Sequence, residues 1–263
     1  MSASADLDLA RLEPLLRTAR YGRSLRLLPL TDSTNDDARR DAEAGAPDGH
    51  VVVADGQRSG RGSHGRVWSS PPGTDLYLSI VARPRVPLAD LPPLTLAVGL
   101  GTAEAVEHSL GPGPERVEVK WPNDVWISGK KCAGILVEAT SSASVLGPLV
   151  IGIGLNVNRT QWPVELAADA TSLRAARGAV AALDRAVVLA TLLGCIEGWV
   201  DRFVAQGSEV VTAALQSRLA LRGQAVRCDG IEGQLRGVAP NGALLIANET
   251  GVHELLAGRL ERS

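Results

Sequence analysis

The three lysines of the chain, Lys120, Lys130 and Lys131, all lie in one short segment, and arginine supplies every other basic side chain. Lysine offers a compact, mobile ammonium where arginine offers a planar fork, so positions that keep lysine are candidates for holding a reacting group. Lys130 and Lys131 precede a predicted buried strand, where an ammonium could stabilise charge developing on a carboxylate or a phosphate. Chance clustering in a lysine-poor chain is the alternative.

The segment Lys120-Trp121-Pro122-Asn123-Asp124 combines a lysine with an aromatic ring, an amide and a carboxylate. These groups suit a nucleotide, because the ring can stack on a base, the amide can bond its edge, and the carboxylate can hold a metal ion. A tight turn beside a core tryptophan is the structural alternative.

Glycines dominate two further segments. Residues 60–66 match the spacing G-x-G-x-x-G, but Pro71 and Pro72 follow, and a dinucleotide-binding fold needs a helix there. The sequence instead predicts a flexible loop whose Arg61 and Arg66 could contact a phosphate or carboxylate; a solvated basic loop is the alternative. Gly152 and Gly154 interrupt a predicted strand, either to let a ligand approach the backbone or to form a bulge.

Hydrophobic patterns and turn residues predict an α+β fold: a mixed or antiparallel sheet with helices, then a small β-barrel. The predicted helices cover 5–20, 34–43, 93–110, 179–206 and 208–222, and the strands of the first domain cover 25–30, 50–54, 76–82, 117–120, 125–127, 132–140 and 149–155. Four short strands, 224–228, 231–238, 243–247 and 252–257, are separated by hairpin turns such as Asn241-Gly242. We predict a catalytic domain over 1–220 and a barrel over 221–263.

Composition excludes several classes of function. The formal net charge of -2 argues against a protein whose main task is binding nucleic acid. Cys132, Cys195 and Cys228 form no C-x-x-C pair, which argues against a disulfide framework or a zinc site. The sequence shows neither a secretory signal nor an apolar run of membrane-spanning length, so we expect a cytoplasmic protein without a bound redox cofactor.

The order of these motifs resembles that of the biotin–protein ligase family over nearly the whole chain. The resemblance rests on Ser33-Thr34-Asn35, then Gln57 with the glycine loop and Trp68, then Lys-Trp-Pro-Asn-Asp, Lys131-x-x-Gly134-Ile-Leu-x-Glu138 and Gly152-x-Gly154-x-Asn156. It implies a catalytic domain similar to class II aminoacyl-tRNA synthetases and an SH3-like C-terminal barrel.

The resemblance also implies residue roles. Lys131 and Arg61 would act in catalysis, and Mg²⁺ is expected with ATP near Asp124, its ligands unknown. The expected biotin-binding residues are Ser33, Thr34, Asn35, Gln57, Gly60, Arg61, Gly62, Ser63, Trp68, Lys131, Gly134, Gly152 and Gly154, and the expected ATP-binding residues are Arg66, Trp68, Lys120, Asn123, Asp124 and Asn156. No nucleophile is evident, and His64 and His108 are weak candidates for a general base.

The implied reaction joins biotin to AMP and then passes biotin to a lysine of a biotin carboxyl carrier domain. We expect neither DNA nor membrane as a partner, and the chain is expected to be a monomer or a homodimer. The expectation about DNA rests on Ser33, which lies too near the start for the family's N-terminal DNA-binding domain to precede it. Ser63 departs from the family, whose members commonly carry an arginine there, so this chain is expected to hold biotinyl-AMP less tightly. A lipoate or octanoate ligase-transferase of the same fold and a non-catalytic biotin sensor are the alternatives.

Overall fold

A computed structural model describes residues 7–142 and 145–263 and arranges its strands in two sheets. The first sheet has seven strands in the order β1-β2-β3-β7-β6-β5-β4; β1 and β2 are parallel and all other neighbours are antiparallel. These strands are β1 (Leu25–Leu28), β2 (His50–Ala54), β3 (Leu76–Ala82), β4 (Val117–Lys120), β5 (Asp124–Ile127), β6 (Lys130–Ser142) and β7 (Val145–Leu155). The predicted α+β class is confirmed.

Helices cover both faces of this sheet. They are α1 (Leu9–Leu12), α2 (Thr34–Glu43), α3 (Leu91–Leu110), α4 (Val164–Ala167), α5 (Leu173–Ala176), α6 (Arg185–Gln206) and α7 (Ser208–Leu215). Ala38 and Ala42 of α2 pack on Val52 and Val81 on one face, and α3 and α6 cover the other. Burial on both faces explains why every residue of β2 and β3 is buried and why most residues of these strands are apolar.

Several predicted boundaries are wrong: β6 covers Lys130–Ser142 where 132–140 was predicted, and β7 begins at Val145 where 149 was predicted. In place of a helix over 5–20, of which 5–6 lie outside the described residues, α1 is followed by a 3₁₀ turn over Glu13–Leu15, where Pro14 lacks a backbone donor. The helix predicted over 179–206 begins at Arg185, because the Asp184 side chain accepts from the first backbone N–H groups. The helix predicted to end at 222 ends at Leu215, and β1 ends before residue 30.

The C-terminal residues form the second sheet, an antiparallel one in the order β11-β10-β9-β8-β12. Its strands are β8 (Ala225–Cys228), β9 (Ile231–Val238), β10 (Leu244–Asn248), β11 (Gly251–Leu255) and β12 (Leu260–Arg262), of which β12 was not predicted. Trp121 lies in the turn between β4 and β5, and its Nε1 donates to the Gly242 carbonyl at 3.0 Å. This hydrogen bond connects the second sheet to the first. No described helix combines the length and apolarity needed to cross a bilayer.

Candidate functional site

A cleft of about 630 Å³ opens at one end of the seven-stranded sheet. Its walls come from the N-terminus of α2, the glycine loop, β5, β6, β7 and the end of the C-terminal sheet. All residues that the sequence assigned to biotin or ATP line this cleft except Gly60. A Cβ at Gly60 would lie 2.5 Å from the Trp68 carbonyl oxygen, so close packing inside the loop requires that glycine.

Hydrogen bonds fix the polar end of the cleft. The Thr34 backbone N–H, at the start of α2, donates to Gln57 Oε1 at 2.9 Å, and Gln57 Nε2 donates to Ser70 Oγ at 3.0 Å. Ser79 Oγ, fully buried on β3, lies 2.8 Å from Thr34 Oγ1. The helix start and the loop are thereby held together, and amide and hydroxyl groups line one closed end of the cleft.

Asn35 occupies the floor beside this network. Its Nδ2 donates to Glu138 Oε2 at 2.6 Å, and its Oδ1 accepts from Ser79 Oγ at 2.6 Å. A Cβ at Gly152 would lie 2.1 Å from Asn35 Oδ1. Glycine at position 152 is therefore required for Asn35 to cross the strand.

Trp68 lies flat against the glycine backbone of β6 and β7. A Cβ at Gly154 would lie 2.3 Å from the Trp68 ring, and one at Gly134 would lie 2.9 Å from it. Trp68 Nε1 is buried and has no hydrogen-bond partner among the described residues. The two glycines thus create an apolar slot, in which the indole N–H can still donate to a ligand.

A lysine–aspartate pair lies beside this slot. Lys131 Nζ lies 2.7 Å from Asp124 Oδ1 and 5.2 Å from the centre of the Trp68 ring. The register of β5 on β6 shifts between Val125 and Trp126, and in this pairing Asp124 lies opposite Gly134. The shift is consistent with a bulge, which re-aims side chains and brings the carboxylate towards the ammonium.

Lys120 and Arg262 both lie near the ring of Trp126. Lys120 Nζ is 5.1 Å and the Arg262 guanidinium carbon 5.9 Å from the Trp126 ring centre. Burial lowers the pKa of Lys120, although Asp124 opposes this shift. With Lys131 and Arg259 also lining the cleft, this end is rich in positive charge and suits an anion such as a triphosphate.

The arginines of the glycine loop are engaged within the protein. Arg61 donates to both carboxylate oxygens of Asp36 at 2.6 and 2.7 Å, and this hydrogen bonding raises the pKa of Arg61 and lowers that of Asp36. Arg66 Nη2 donates to Ser63 Oγ at 2.9 Å. Arg61 therefore lies at the α2 end of the cleft in this conformation. Its ion pair with Asp36 must break before the guanidinium can contact a phosphate.

Several sequence interpretations change at this site. Trp121 is 2% exposed and belongs to the core, so the idea that it stacks on a nucleotide is wrong, and Trp126 is the tryptophan of that region that lines the cleft. His64 and His108 are absent from the cleft lining; His64 lies on the exposed loop, and His108 Nδ1 faces Cys195 Sγ at 3.6 Å.

Arg159 is a cleft residue that sequence reasoning missed. Its guanidinium donates to Asp75 Oδ2 at 2.8 Å and to the Ser69 carbonyl at 2.9 Å, which ties down the chain directly after Trp68. The same guanidinium lies 4.8 Å from the Trp162 ring centre. The signal available in the sequence was Asn156-Val-Asn-Arg159, which directly follows β7. In the structure, Arg159 is 6% exposed.

Comparison with known proteins identifies the family. The family model described as biotin/lipoate A/B protein ligase matches residues 27–156. The bifunctional ligase/repressor BirA of Bacillus spizizenii is 33% identical over 252 residues, which cover 94% of this chain and 76% of the relative. A biotin–[acetyl-CoA-carboxylase] ligase of Paracoccus denitrificans is 30% identical over 230 residues, covering 86% and 95%.

The solved structures agree with these relatives. The biotin protein ligase from Aquifex aeolicus in complex with biotin and ATP has a TM-score of 0.80 and 34% identity, covering 92% of this chain and all of that one. The match includes both sheets, since it extends over nearly the whole length. This chain belongs to the biotin protein ligase family.

Proposed function

We propose that the cleft carries out both steps of an ATP-dependent biotin–protein ligase. A carboxylate oxygen of biotin attacks the α-phosphorus of ATP, biotinyl-5'-AMP forms and pyrophosphate leaves. The amine of an acceptor lysine then attacks the acyl carbon, which forms an amide, releases AMP and gives up a proton. The observation that carries this proposal is the Lys131–Asp124 pair, placed between a polar pocket end and a cationic one.

Biotin fits the half of the cleft between α2 and the glycine strands. Its ureido ring offers one carbonyl acceptor and two N–H donors, which Thr34, Asn35 and Gln57 can match with hydroxyl and amide groups. Gly152 and Gly154 let Asn35 and the Trp68 ring lie close against the sheet, and these two side chains then form the wall that the rest of the bicycle would contact. Ser33, Gly62 and Gly134 complete the wall, and the valeryl chain then points its carboxylate towards Lys131.

Lys131 is the residue we assign to charge stabilisation. Its ammonium lies between the expected biotin carboxylate and the nucleotide half of the cleft, where it can neutralise both anions as they approach. Asp124 holds the ammonium in place, and the Lys131 backbone N–H, which donates to the Asp169 carbonyl at 2.7 Å, fixes the strand. Catalysis here is positioning and electrostatics, with no protein nucleophile.

The nucleotide fits the opposite half, which Arg66, Trp68, Lys120, Asn123, Asp124 and Asn156 line. Asn123 Nδ2 donates to the Ile135 carbonyl and Asn156 Nδ2 donates to the Thr171 carbonyl, so their side-chain oxygens are the atoms left for a ligand. Arg61 joins the phosphates only after leaving Asp36.

Asp124 is also the residue that fits the magnesium ion of Mg-ATP. Its Oδ1 is buried and, although it lies 2.7 Å from Lys131 Nζ, it receives no well-aligned hydrogen bond. A carboxylate with a free lone pair beside a phosphate site is a usual magnesium ligand, and the ion would offset charge on the pyrophosphate that leaves. Lys131 would keep its contact with the other anions.

Arg262, from the last strand, is expected to bind the phosphates. We expect Arg262→Ala to raise the KM for ATP about tenfold, the usual cost of losing one charged hydrogen bond, while the KM for biotin stays unchanged. Steady-state biotinylation at varied ATP measures this. Arg227→Ala is the matched control, because Arg227 pairs with Glu261 on the neighbouring strand and does not line the cleft. An unchanged KM for ATP in Arg262→Ala would remove Arg262 from the site.

Ser63 leaves the loop without the guanidinium that family members commonly carry there. Since Ser63 Oγ already accepts from Arg66, it offers the adenylate little. We expect Ser63→Arg to slow release of biotinyl-AMP about tenfold and to reduce self-biotinylation. Ser63→Ala, which adds no charge, should match the wild type. Equal release from the wild type and Ser63→Arg would contradict this hypothesis.

The same proposal includes the acceptor protein, the cellular location, the oligomeric state and the domain bounds. The acceptor lysine lies in a biotin carboxyl carrier domain, in keeping with the Paracoccus denitrificans relative, which is named for acetyl-CoA carboxylase. The chain works in the cytoplasm, as a monomer or homodimer, with neither DNA nor a membrane as partner. Residues 1–220 form the catalytic domain and 221–263 the barrel.

Biotin-dependent exchange of labelled pyrophosphate into ATP tests the function. Exchange with biotin, and none with lipoate or octanoate, supports the ligase. Exchange only with lipoate or octanoate would transfer the chain to the other ligases of this fold. No exchange with any acid, despite measurable biotin binding, would make it a sensor.

A further inference from the structure

Three metal-ligating side chains meet on the helical layer, outside the cleft. Glu104 and His108 lie one turn apart on α3 and share a face, and Cys195 faces them from α6. Their ligand atoms all lie within 4.8 Å of one another. Among the described residues, this is the one group of three or more such side chains that comes so close.

We propose that Glu104, His108 and Cys195 bind a zinc ion, with water as the fourth ligand. Carboxylate, imidazole and thiolate are the ligands that zinc takes in proteins. Tetrahedral zinc, with Zn–S of about 2.3 Å and Zn–N of about 2.0 Å, places these two ligand atoms about 3.5 Å apart. Cys195 Sγ and His108 Nδ1 lie 3.6 Å apart. His108 is exposed, so the ion and its water have access from solvent.

Neighbouring groups hold the three ligands in place. Trp199 Nε1 donates to Glu104 Oε2 at 2.6 Å, and partners of this kind orient the ligands of a metal. A Cβ at Gly101 would lie 2.7 Å from the Ile196 Cα and 2.9 Å from the Cys195 carbonyl oxygen. The glycine therefore lets α3 and α6 approach closely at this point, and the approach sets the distance between Cys195 and the residues of α3.

The ion replaces a proton at this site. Zinc binds the thiolate form of cysteine, so binding at Cys195 releases the thiol proton to the solvent. Without metal, the same atoms form a weak S–H···N contact, which is the arrangement that the experiment must distinguish from a metal site.

Cobalt is the probe of choice, because Co²⁺ reports thiolate ligation by absorption. The full chain, stripped of metal with a chelator and free of nucleotide, is titrated with Co²⁺ and then with Zn²⁺. The proposal expects one Co²⁺ per chain, a thiolate-to-cobalt charge-transfer band, its loss on adding Zn²⁺, and proton release in weak buffer. Absence of the band at saturating Co²⁺ would overturn the site.

Variants assign the ligands. Cys195→Ser should lose the charge-transfer band while keeping biotin-dependent exchange, since Cys195 lies outside the cleft. His108→Ala, a change at an exposed position, should weaken binding at least about tenfold, the loss typical of removing even an orienting partner. Zinc should raise the melting temperature of the wild type but not of His108→Ala. The control His253→Ala should behave as the wild type; a band that persists in Cys195→Ser would contradict the proposal.

Discussion

Lys131→Ala is expected to lower biotin-dependent exchange of pyrophosphate into ATP by about 10²–10³-fold, the usual cost of losing one preorganised charge at a reacting centre. Lys131 lies between the proposed biotin half and the nucleotide half of the cleft. Its ammonium is 2.7 Å from Asp124 and lies beside the Trp68 ring. The variant leaves two anions to approach each other without that charge. Because the ammonium acts mainly on the reacting groups, kcat should fall more than the KM for biotin rises.

The chain carries its own control for this variant. Lys130, the preceding residue, is exposed and absent from the cleft lining, since successive side chains of a strand point to opposite faces. Lys130→Ala should therefore retain nearly the wild-type rate. Circular dichroism on both variants checks the fold. An Lys131→Ala enzyme with more than about a tenth of the wild-type rate would be incompatible with the assigned role.

The strands that the sequence predicted best are those buried on both faces. The bounds of β2 and β3 match the prediction because a short, mostly apolar run with glycine or proline close to its ends admits few alternatives. Helix ends were harder, since they depend on a single capping interaction. Asp184 begins α6 by accepting two backbone N–H groups, and no pattern of hydrophobicity marks that event.

The residues of the candidate site were likewise predicted only in part. The predicted glycines and polar residues except Gly60 line one cleft, because they belong to short motifs in the loop, the helix start and the strands that border it. Which of two nearby tryptophans faces the cleft depends on strand register, and Trp121 turned out to bond the second sheet while Trp126 faces the cations. Arg262 comes from the end of the chain, which only folding brings near the cleft, so local spacing gave no signal for it. Arg159 lies three residues after Asn156, but its role depends on its contacts with Asp75 and Ser69.

Cysteine spacing illustrates a further limit. The absence of a C-x-x-C pair argues against zinc, and this stays a prediction that the proposed site would overturn, because the rule detects only ligands that are neighbours in sequence. Cys195 meets Glu104 and His108 across two helices whose contact depends on Gly101. The sequence shows Glu104 and His108 as an i, i+4 pair on α3. The position of Cys195 beside them follows only from the packing of α6 on α3.

Asp75 is the residue whose loss should destabilise the fold most. It is fully buried, its Oδ2 accepts from Arg159 Nε at 2.8 Å, and its Oδ1 accepts from the Val157 backbone N–H at 2.9 Å. Asp75→Ala leaves the guanidinium of Arg159, 6% exposed, without its counter-charge. We expect a loss of about 3–5 kcal/mol in the free energy of unfolding, measured as a lower urea midpoint.

Asp32→Ala provides the comparison, because Asp32 pairs with Arg58 at 3.2 Å through a side chain that is 74% exposed. An exposed pair of this kind contributes less than about 1 kcal/mol, so its midpoint should hardly move. Asp75→Ala should also weaken biotin binding, because Arg159 holds the Ser69 carbonyl and thereby the position of Trp68. If both variants unfolded at the same urea concentration, the buried pair would not be a main support of the fold, and the cleft would have to depend on the Thr34–Gln57 network instead.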